Sequence, residues 1–381
     1  MKRGLSILLC FAVFAAAAGT VPTAYAAQGK IEIHAAGKTQ KGSSEELSEE
    51  VSEEAPEGVS EDISDKIPEE DPEEALGETS EETSAEQEES EKSDRIPTAE
   101  IDGSIPLKYI NMRVKDGGKI EKITYASHDW YGSGSEITKD AYVYLPFGYS
   151  DEKQYNVLYL MHGIGGDEKE WGMTDSTSRV KAIMDNLIYY GDIEPFIVVT
   201  PNGRSSKDHS AEGSDYRSFY SFGEELRNDL IPYIESHYST YAEASGEEYD
   251  MTLARDHRAM AGLSMGGMQT INIGIGECAD LISYFGAFSA APTSNSASKT
   301  ARLLKDNDYP VHFFYNICGT NDAVAYSSAA AAAKELPKVC DRFTDGENFM
   351  WQELPGGHDF NIWYLGFYNF ARLAFRSDKE E

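Results

Sequence analysis

The 381-residue sequence is poor in basic residues: 33 Lys and Arg stand against 66 Asp and Glu, which gives a formal net charge of −33. A chain with this balance repels a phosphate backbone, so nucleic acid is excluded as a partner. The sequence also lacks the paired Cys-x-x-Cys and His-Glu-x-x-His spacings that hold metal ions. We therefore predict an activity that needs neither a metal nor another cofactor.

Cysteine is scarce as well, with four residues in the whole chain. Cys10 lies in an N-terminal segment that we expect to be removed. Cys278, Cys318 and Cys340 remain, an odd number that allows one disulfide at most and is equally compatible with three buried thiols. The cysteines therefore indicate nothing about function.

Long apolar runs are absent except at the N-terminus. Lys2 and Arg3 precede an almost wholly apolar run at 5–18, and the small-x-small sequence AYA occupies 24–26. This order is typical of a cleaved signal peptide, which we assign to residues 1–26. A membrane anchor is the alternative, but the run is shorter than the roughly 20 residues of a spanning helix. We predict a secreted, extracellular protein, with attachment to the cell surface left open.

Aromatic residues are missing from 42–97, where 23 Asp and Glu face only Lys66, Lys92 and Arg95, a net charge of −20. Such a stretch cannot bury enough apolar surface to offset the entropy of ordering. We predict that residues 27–104 form a disordered, acidic linker rich in Glu, Ser and Pro. A solvated spacer is favoured over a specific acidic binding motif.

The remaining residues, 105–381, alternate strand-like and helical patterns. This alternation favours an α/β fold of the α/β-hydrolase type, with a mostly parallel sheet and helices on both faces. The predicted strands cover 118–126, 140–145, 155–161, 196–200, 258–263, 284–288, 312–318 and 349–354. The predicted helices cover 177–190, 221–238 with a kink at Pro232, 265–275, 327–338 and 360–375.

A Gly-x-Ser-x-Gly motif, GLSMGG at 262–267, lies between a predicted strand and a predicted helix. Flanking glycines permit the sharp turn that lifts a serine hydroxyl above the sheet edge, so Ser264 is the candidate nucleophile. The motif alone is weak, and its context strengthens it. The N–H of Met265, at the start of the helix, is a candidate donor to an oxyanion.

A serine hydroxyl needs a base, and a neutral imidazole needs a carboxylate to fix its tautomer. His358 follows the last predicted strand, and Asp322 follows the strand that ends near 318; sites in open α/β sheets form at such strand ends. We predict His358 as the base and Asp322 as its acid. His128 and His162 are the ambiguous histidines. The glycine-rich loop at 162–166 offers a second oxyanion donor, for which we favour the N–H of Ile164.

With these motifs the sequence resembles the feruloyl esterases of carbohydrate esterase family 1, within the esterase D-like group. The matching strings are YLMHGIGG at 159–166, HRAMAGLSMGG at 257–267, SAAP at 289–292, CGTND at 318–322 and GGHDFN at 356–361. The resemblance covers roughly 270 residues and implies the same triad. It also implies hydrolysis of feruloyl, cinnamoyl or acetyl esters on plant cell-wall xylan.

The sequence departs from this family in polar segments around 242–249 and 293–299, which we expect at the pocket rim. A phenolic acyl group needs a flat apolar slot, and Trp363, Trp171 and Tyr220 are the candidate substrate contacts. The main alternative activity is that of an acetyl esterase on xylan or another glycan. Less favoured alternatives are an acyltransferase and a non-catalytic, surface carbohydrate-binding protein.

Overall fold

The structure is a computed structural model that describes residues 100–113, 115–212, 216–242 and 249–376. The predicted signal peptide, 1–26, and residues 27–99 of the predicted linker lie outside the described residues. The folded domain begins before the predicted start at 105. Asp102 already contacts the last helix, where its carboxylate accepts hydrogen bonds of 2.7 Å from Tyr368 and Arg372.

One eight-stranded sheet forms the centre of the described domain, in the order β1-β2-β4-β3-β5-β6-β7-β8. The six strands from β3 to β8 are parallel, and β1 and β2 form an antiparallel pair at one edge. The predicted fold class is confirmed. The strands are β1 (Lys119–His128), β2 (Glu136–Leu145), β3 (Val157–Met161), β4 (Ile197–Pro201), β5 (Arg258–Leu263), β6 (Tyr284–Phe288), β7 (Phe313–Gly319) and β8 (Phe349–Leu354).

Helices cover both faces of the sheet. They are α1 (Leu107–Ile110), α2 (Arg179–Tyr190), α3 (Phe222–Glu225), α4 (Ile231–His237), α5 (Met265–Gln269), α6 (Ala297–Leu304), α7 (Tyr326–Val339) and α8 (Phe360–Leu373). The core accordingly has two main apolar layers, one beneath α2 and α8 and the other beneath α3, α4, α6 and α7. The central strands are buried on both faces, which explains their nearly continuous apolar sequences.

The helix predicted over 221–238 is interrupted. A π-helical turn at Leu226–Leu230 separates α3 from α4, and Pro232 lies in the first turn of α4. Proline has no N–H to donate, so the irregularity lies where the sequence predicts a kink. In the same way, α5 continues into a π-helical segment, Thr270–Ile275.

Helix α6 is not among the predicted helices, and it begins inside the polar segment around 293–299. Ser296 caps this helix by accepting a hydrogen bond from the N–H of Lys299, and the apolar face of α6 is buried. Among the helices that the structure describes, none has both the length and the apolar character that crossing a bilayer requires.

Candidate active site

Four loops meet at the carboxyl edge of the parallel sheet. They follow β3, β5, β7 and β8, and they carry in turn the glycine-rich segment 162–166, Ser264, Asp322 and His358. Because parallel strands end at the same edge, residues far apart in the sequence come together here. The predicted nucleophile, base and acid therefore share one location.

Ser264 occupies a strained turn between β5 and α5. Its φ angle is +51°, a value that residues other than glycine rarely adopt. Close backbone approach explains the flanking glycines: a Cβ atom placed on Gly262 would lie 2.6 Å from the carbonyl carbon of Gly266, and one placed on Gly266 would lie 2.6 Å from Met161 O. The Gly-x-Ser-x-Gly pattern is thus a packing requirement of the turn that presents the hydroxyl.

The three side chains are connected by hydrogen bonds. His358 Nε2 lies 3.0 Å from Ser264 Oγ, and His358 Nδ1 lies 2.7 Å from Asp322 Oδ2. An ionised carboxylate can only accept, so Nδ1 carries the imidazole proton and Nε2 presents its lone pair to the serine hydroxyl. This is the protonation state in which the imidazole can take the hydroxyl proton.

Asp322 is itself held in place by the backbone that follows it. Its Oδ1 accepts the N–H groups of Val324 and Ala325 at 2.9 and 2.8 Å. Burial acts to raise the pKa of Asp322, but the hydrogen bonds from Ala325 and His358 outweigh it, and the pKa falls below its usual value. The acid is therefore ionised at neutral pH and fixed in orientation.

Both predicted oxyanion donors border the nucleophile. Met265 is the first residue of α5, where a helix leaves its N–H groups without an intrahelical acceptor. The glycine-rich loop passes close by, since a Cβ atom placed on Gly163 would lie 3.4 Å from Ser264 Cβ. Ile164, the next residue, is half exposed at this loop. The geometry is compatible with a two-donor oxyanion hole formed by Met265 and Ile164.

The three predicted substrate contacts differ in position. The indole of Trp363 packs edge-to-face against the His358 imidazole, with ring centroids 5.1 Å apart. Tyr220 is partly exposed and follows Phe219, a buried ring that packs with Met265. Both therefore border the site.

Trp171, the third predicted substrate contact, does not border the site. Its side chain is fully buried among core aromatic rings, and its Nε1 donates to Met161 O at 3.0 Å. It presents no surface to a ligand, so the prediction that Trp171 contacts the substrate is wrong.

The structure adds three residues to the site that the sequence did not identify in this role. His162, Glu170 and Arg204 each contact the backbone of the glycine-rich loop. His162 could have been suspected of a role in the site because it begins the glycine-rich loop, although its position in the sequence alone does not separate it from a structural histidine. Arg204 follows β4 in a polar loop, and nothing in its sequence neighbourhood distinguishes it from an exposed arginine.

Comparison with known proteins places this arrangement in a family. The family described as "Putative esterase" matches residues 135–369, which include all three members of the triad. The chain therefore belongs to this family. It is a carboxylic ester hydrolase with an α/β-hydrolase fold.

Within this class the chain is a feruloyl esterase-like protein of carbohydrate esterase family 1. It is 32% identical over 262 residues to endo-1,4-beta-xylanase Y of Acetivibrio thermocellus, a match that covers 66% of this chain and 22% of that protein. It is 33% identical over 220 residues to an endo-1,4-beta-xylanase/feruloyl esterase of Xylanibacter ruminicola, which covers 56% of this chain and 27% of that protein. The chain thus spans only about a quarter of the length of these curated relatives.

Two solved structures are similar to this chain over nearly their whole length. The feruloyl esterase module of Clostridium thermocellum complexed with sinapinate gives a TM-score of 0.61 at 28% identity, covering 74% of this chain and 96% of that one. A CE1 ferulic acid esterase of Anaeromyces mucronatus in complex with ferulic acid gives 0.57 at 27% identity, covering 72% and 98%.

Proposed function

We propose that this protein is a secreted serine esterase that hydrolyses feruloyl or related cinnamoyl esters on plant cell-wall xylan. The observation that carries the proposal is the continuous hydrogen-bonded path from Ser264 Oγ through the His358 ring to the Asp322 carboxylate. Secretion rests on the N-terminal sequence alone.

In the first half of the reaction, Ser264 Oγ attacks the ester carbonyl carbon while His358 Nε2 takes the hydroxyl proton. The negative charge that develops on the carbonyl oxygen is stabilised by the N–H groups of Met265 and Ile164. Asp322 stabilises the imidazolium by accepting its Nδ1–H. The tetrahedral intermediate then collapses, the sugar hydroxyl leaves with the proton from His358, and the acyl group stays on Ser264.

In the second half, His358 takes a proton from a water molecule, which attacks the acyl-enzyme carbonyl. The same two N–H groups hold the second oxyanion. Collapse of this intermediate releases the carboxylic acid and returns the proton from His358 to Ser264 Oγ. The cycle uses only groups of this chain and water.

The acyl group is proposed from the relatives and from the site. Two similar structures hold sinapinate and ferulic acid, which are both phenolic cinnamate-type acids. In this chain Tyr220 borders the site and exposes aromatic surface to such an acid, while the largely buried Trp363 packs against the His358 ring. The xylan backbone is proposed because the curated relatives carry xylanase names.

Ser264→Ala tests the mechanism, with Ser283→Ala as its matched control. Ser283 is also buried, but it precedes β6 at the opposite edge of the sheet, where its hydroxyl donates to Arg255 O. We expect the first variant to lose turnover of methyl ferulate and p-nitrophenyl acetate, and the second to retain it. Unchanged turnover by folded Ser264→Ala would refute the mechanism.

The acyl specificity needs a separate experiment. Ferulate and acetate released from arabinoxylan by the wild-type protein are measured side by side. We expect ferulate to be released at the higher rate. Release of acetate alone would replace the feruloyl assignment with that of a glycan acetyl esterase, while leaving the serine mechanism intact.

A further inference from the structure

The buried imidazole of His162 connects two loops of the active-site edge. Its Nδ1 lies 2.7 Å from Gly163 O, and its Nε2 lies 2.8 Å from the backbone N of Gly203. A carbonyl can only accept and a backbone N–H can only donate. Both bonds therefore form with one neutral tautomer alone, in which Nδ1 carries the proton and Nε2 does not.

Gly163 O accepts the short bond from the His162 ring and a longer one, 3.3 Å, from the N–H of Gly166, and its direction fixes that of another group. Gly163 O and the N–H of Ile164 belong to the same planar peptide, in which a trans geometry points them in opposite directions. We propose that His162 is a positioning residue that holds the Gly163–Ile164 peptide so that the Ile164 N–H faces the oxyanion. This inference rests on the proposed function and assigns a role to a histidine outside the triad.

The neighbouring peptide groups are held by other side chains. Glu170 Oε2 accepts the N–H of Gly163 at 2.5 Å, which fixes the preceding peptide. The Arg204 guanidinium donates to Ile164 O, which fixes the following peptide, and it also donates at 2.6 Å to Gly166 O further along the loop. Three consecutive peptide groups are thus each oriented by one side chain, and the middle one carries the proposed oxyanion donor.

The loop that contacts His162 Nε2 is itself rigidly supported. Lys139 Nζ, on β2, donates to Asn202 O at 2.7 Å and to Arg204 O at 2.8 Å. The Gln269 side chain donates to Gly203 O at 2.9 Å. The Gly203 N–H is therefore held in place on both sides, and it gives His162 a fixed point from which to orient the glycine-rich loop.

The protonation state of His162 is consistent with this role. Burial is the main cause that lowers its pKa to about 4, with the positive charges of Arg204 and Lys139 acting in the same direction. The ring is therefore neutral at neutral pH, as an acceptor at Nε2 requires.

Two substitutions separate the two bonds of His162. In His162→Asn the amide nitrogen can take the place of Nδ1 and donate to Gly163 O. In His162→Gln the amide oxygen can take the place of Nε2 and accept from Gly203, but the donor to Gly163 is lost. We expect kcat on methyl ferulate to fall about 100- to 1,000-fold in the Gln variant, the usual effect of one lost oxyanion donor.

The Asn variant should keep a kcat at least about tenfold above that of the Gln variant, and KM should change little in either, because the donor acts on the transition state. His257→Gln is the matched control. His257 binds Asn156 Oδ1 at 2.7 Å at the opposite end of β5, so its loss should change thermal stability and not kcat. Equal kcat values in the two His162 variants would overturn the proposal. Ser264→Ala tests the esterase mechanism separately, so the two failures can be told apart.

A measurement on the wild-type protein covers the case in which His162→Gln fails to fold. The ring ¹⁵N chemical shifts of His162 distinguish its two tautomers. We expect Nδ1 protonated and Nε2 unprotonated from about pH 5 to about pH 9, the range in which an ordinary histidine would change state. The opposite tautomer, or a protonated ring at neutral pH, would overturn the proposal.

Discussion

The Asp322 carboxylate holds His358 through one oxygen and its own backbone turn through the other. Oδ2 lies 2.7 Å from His358 Nδ1, and Oδ1 accepts the N–H groups of Val324 and Ala325. Because backbone N–H groups only donate, the oxygen that binds them must stay an oxygen in any variant that keeps this turn. If Asp322 is replaced by Asn, the amide oxygen must keep the place of Oδ1, and the amide nitrogen therefore faces His358.

Asp322→Asn should accordingly place its NH₂ group against His358 Nδ1. The imidazole would then accept at Nδ1 and carry its proton on Nε2, where it can no longer take the proton of Ser264. We expect kcat on methyl ferulate to fall by about 10⁴, as a wrong histidine tautomer costs in a serine triad, while the fold is retained. Steady-state kinetics and circular dichroism would measure the two effects.

The matched control is Asp359→Asn. Asp359 is adjacent to His358, but its carboxylate caps α8 by accepting the N–H of Asn361 at 2.8 Å. Asparagine caps a helix about as well as aspartate, so activity and stability should be nearly unchanged. A comparable loss of kcat in both variants would contradict the tautomer argument, since only one of them faces Nδ1.

A methyl group on Gly266 should disrupt the nucleophile turn. Its Cβ would lie 2.6 Å from Met161 O and 2.7 Å from Met161 C, backbone atoms that cannot move without shifting β3. We expect Gly266→Ala to lose about 1–3 kcal/mol of unfolding free energy, as overpacked sites do, and most of kcat. Urea denaturation and kinetics check both.

Gly103→Ala is the control for that substitution, since no atom lies within 4 Å of a Cβ placed there. Its stability should stay close to that of the wild type. If Gly266→Ala were equally well tolerated, the close approach of α5 to β3 would not be what requires glycine at this position.

The proposed catalytic triad could be predicted from the sequence because each of its members follows a strand in a recognisable context. Ser264 lies between an apolar strand and a helix, and Asp322 and His358 end later strands that the parallel sheet brings to the same edge. The order of strands within the sheet was not needed for this prediction, because all parallel strands end on one side.

Other features depend on tertiary contacts that leave no local pattern. Trp171 has the composition expected of an aromatic slot, and only the packing around it shows that it belongs to the core. Arg204 is fully buried, whereas arginine in a polar loop is usually exposed. Helix α6 is short and rich in polar residues, so its buried face becomes evident only against α7 and the π-helical segment Thr270–Ile275.

Removing one partner of the buried ion pair between Lys139 and Glu225 should strongly lower the unfolding free energy of the domain. Both side chains are fully buried, with Lys139 Nζ 2.7 Å from the carboxylate, which also accepts hydrogen bonds from Tyr125 and Ser205. Lys139→Met would leave the Glu225 charge buried without its partner. We expect a loss of about 3–5 kcal/mol of unfolding free energy, measured by urea denaturation.

Lys122→Met is the control on the neighbouring strand. Lys122 lies 2.8 Å from Asp140, but both side chains are exposed to solvent, so the pair is weak and its loss should be barely measurable. A small effect at Lys139 would show that water reaches the Glu225 carboxylate. It would also weaken the view that Lys139 supports the loop at 202–204.

The stability of the domain should depend on pH through His162. Burial lowers the pKa of this imidazole in the folded protein to about 4, against 6.5 for an unperturbed histidine. Between these two values the unfolded chain binds a proton that the folded protein does not, so the free energy of unfolding falls as the pH falls through this window. Below both values both states are protonated, and the contribution of His162 becomes constant.

The expected loss between about pH 7 and about pH 4 is on the order of 3 kcal/mol, since each pKa unit corresponds to about 1.4 kcal/mol. Urea denaturation of the wild type and of His162→Asn across this range would isolate it, because all other titrating groups are common to both proteins and cancel in the difference. The wild type should lose stability more steeply than the variant as the pH falls. Parallel curves would mean that the imidazole is protonated as readily in the folded state as in the unfolded one, which its bond from the Gly203 N–H does not allow.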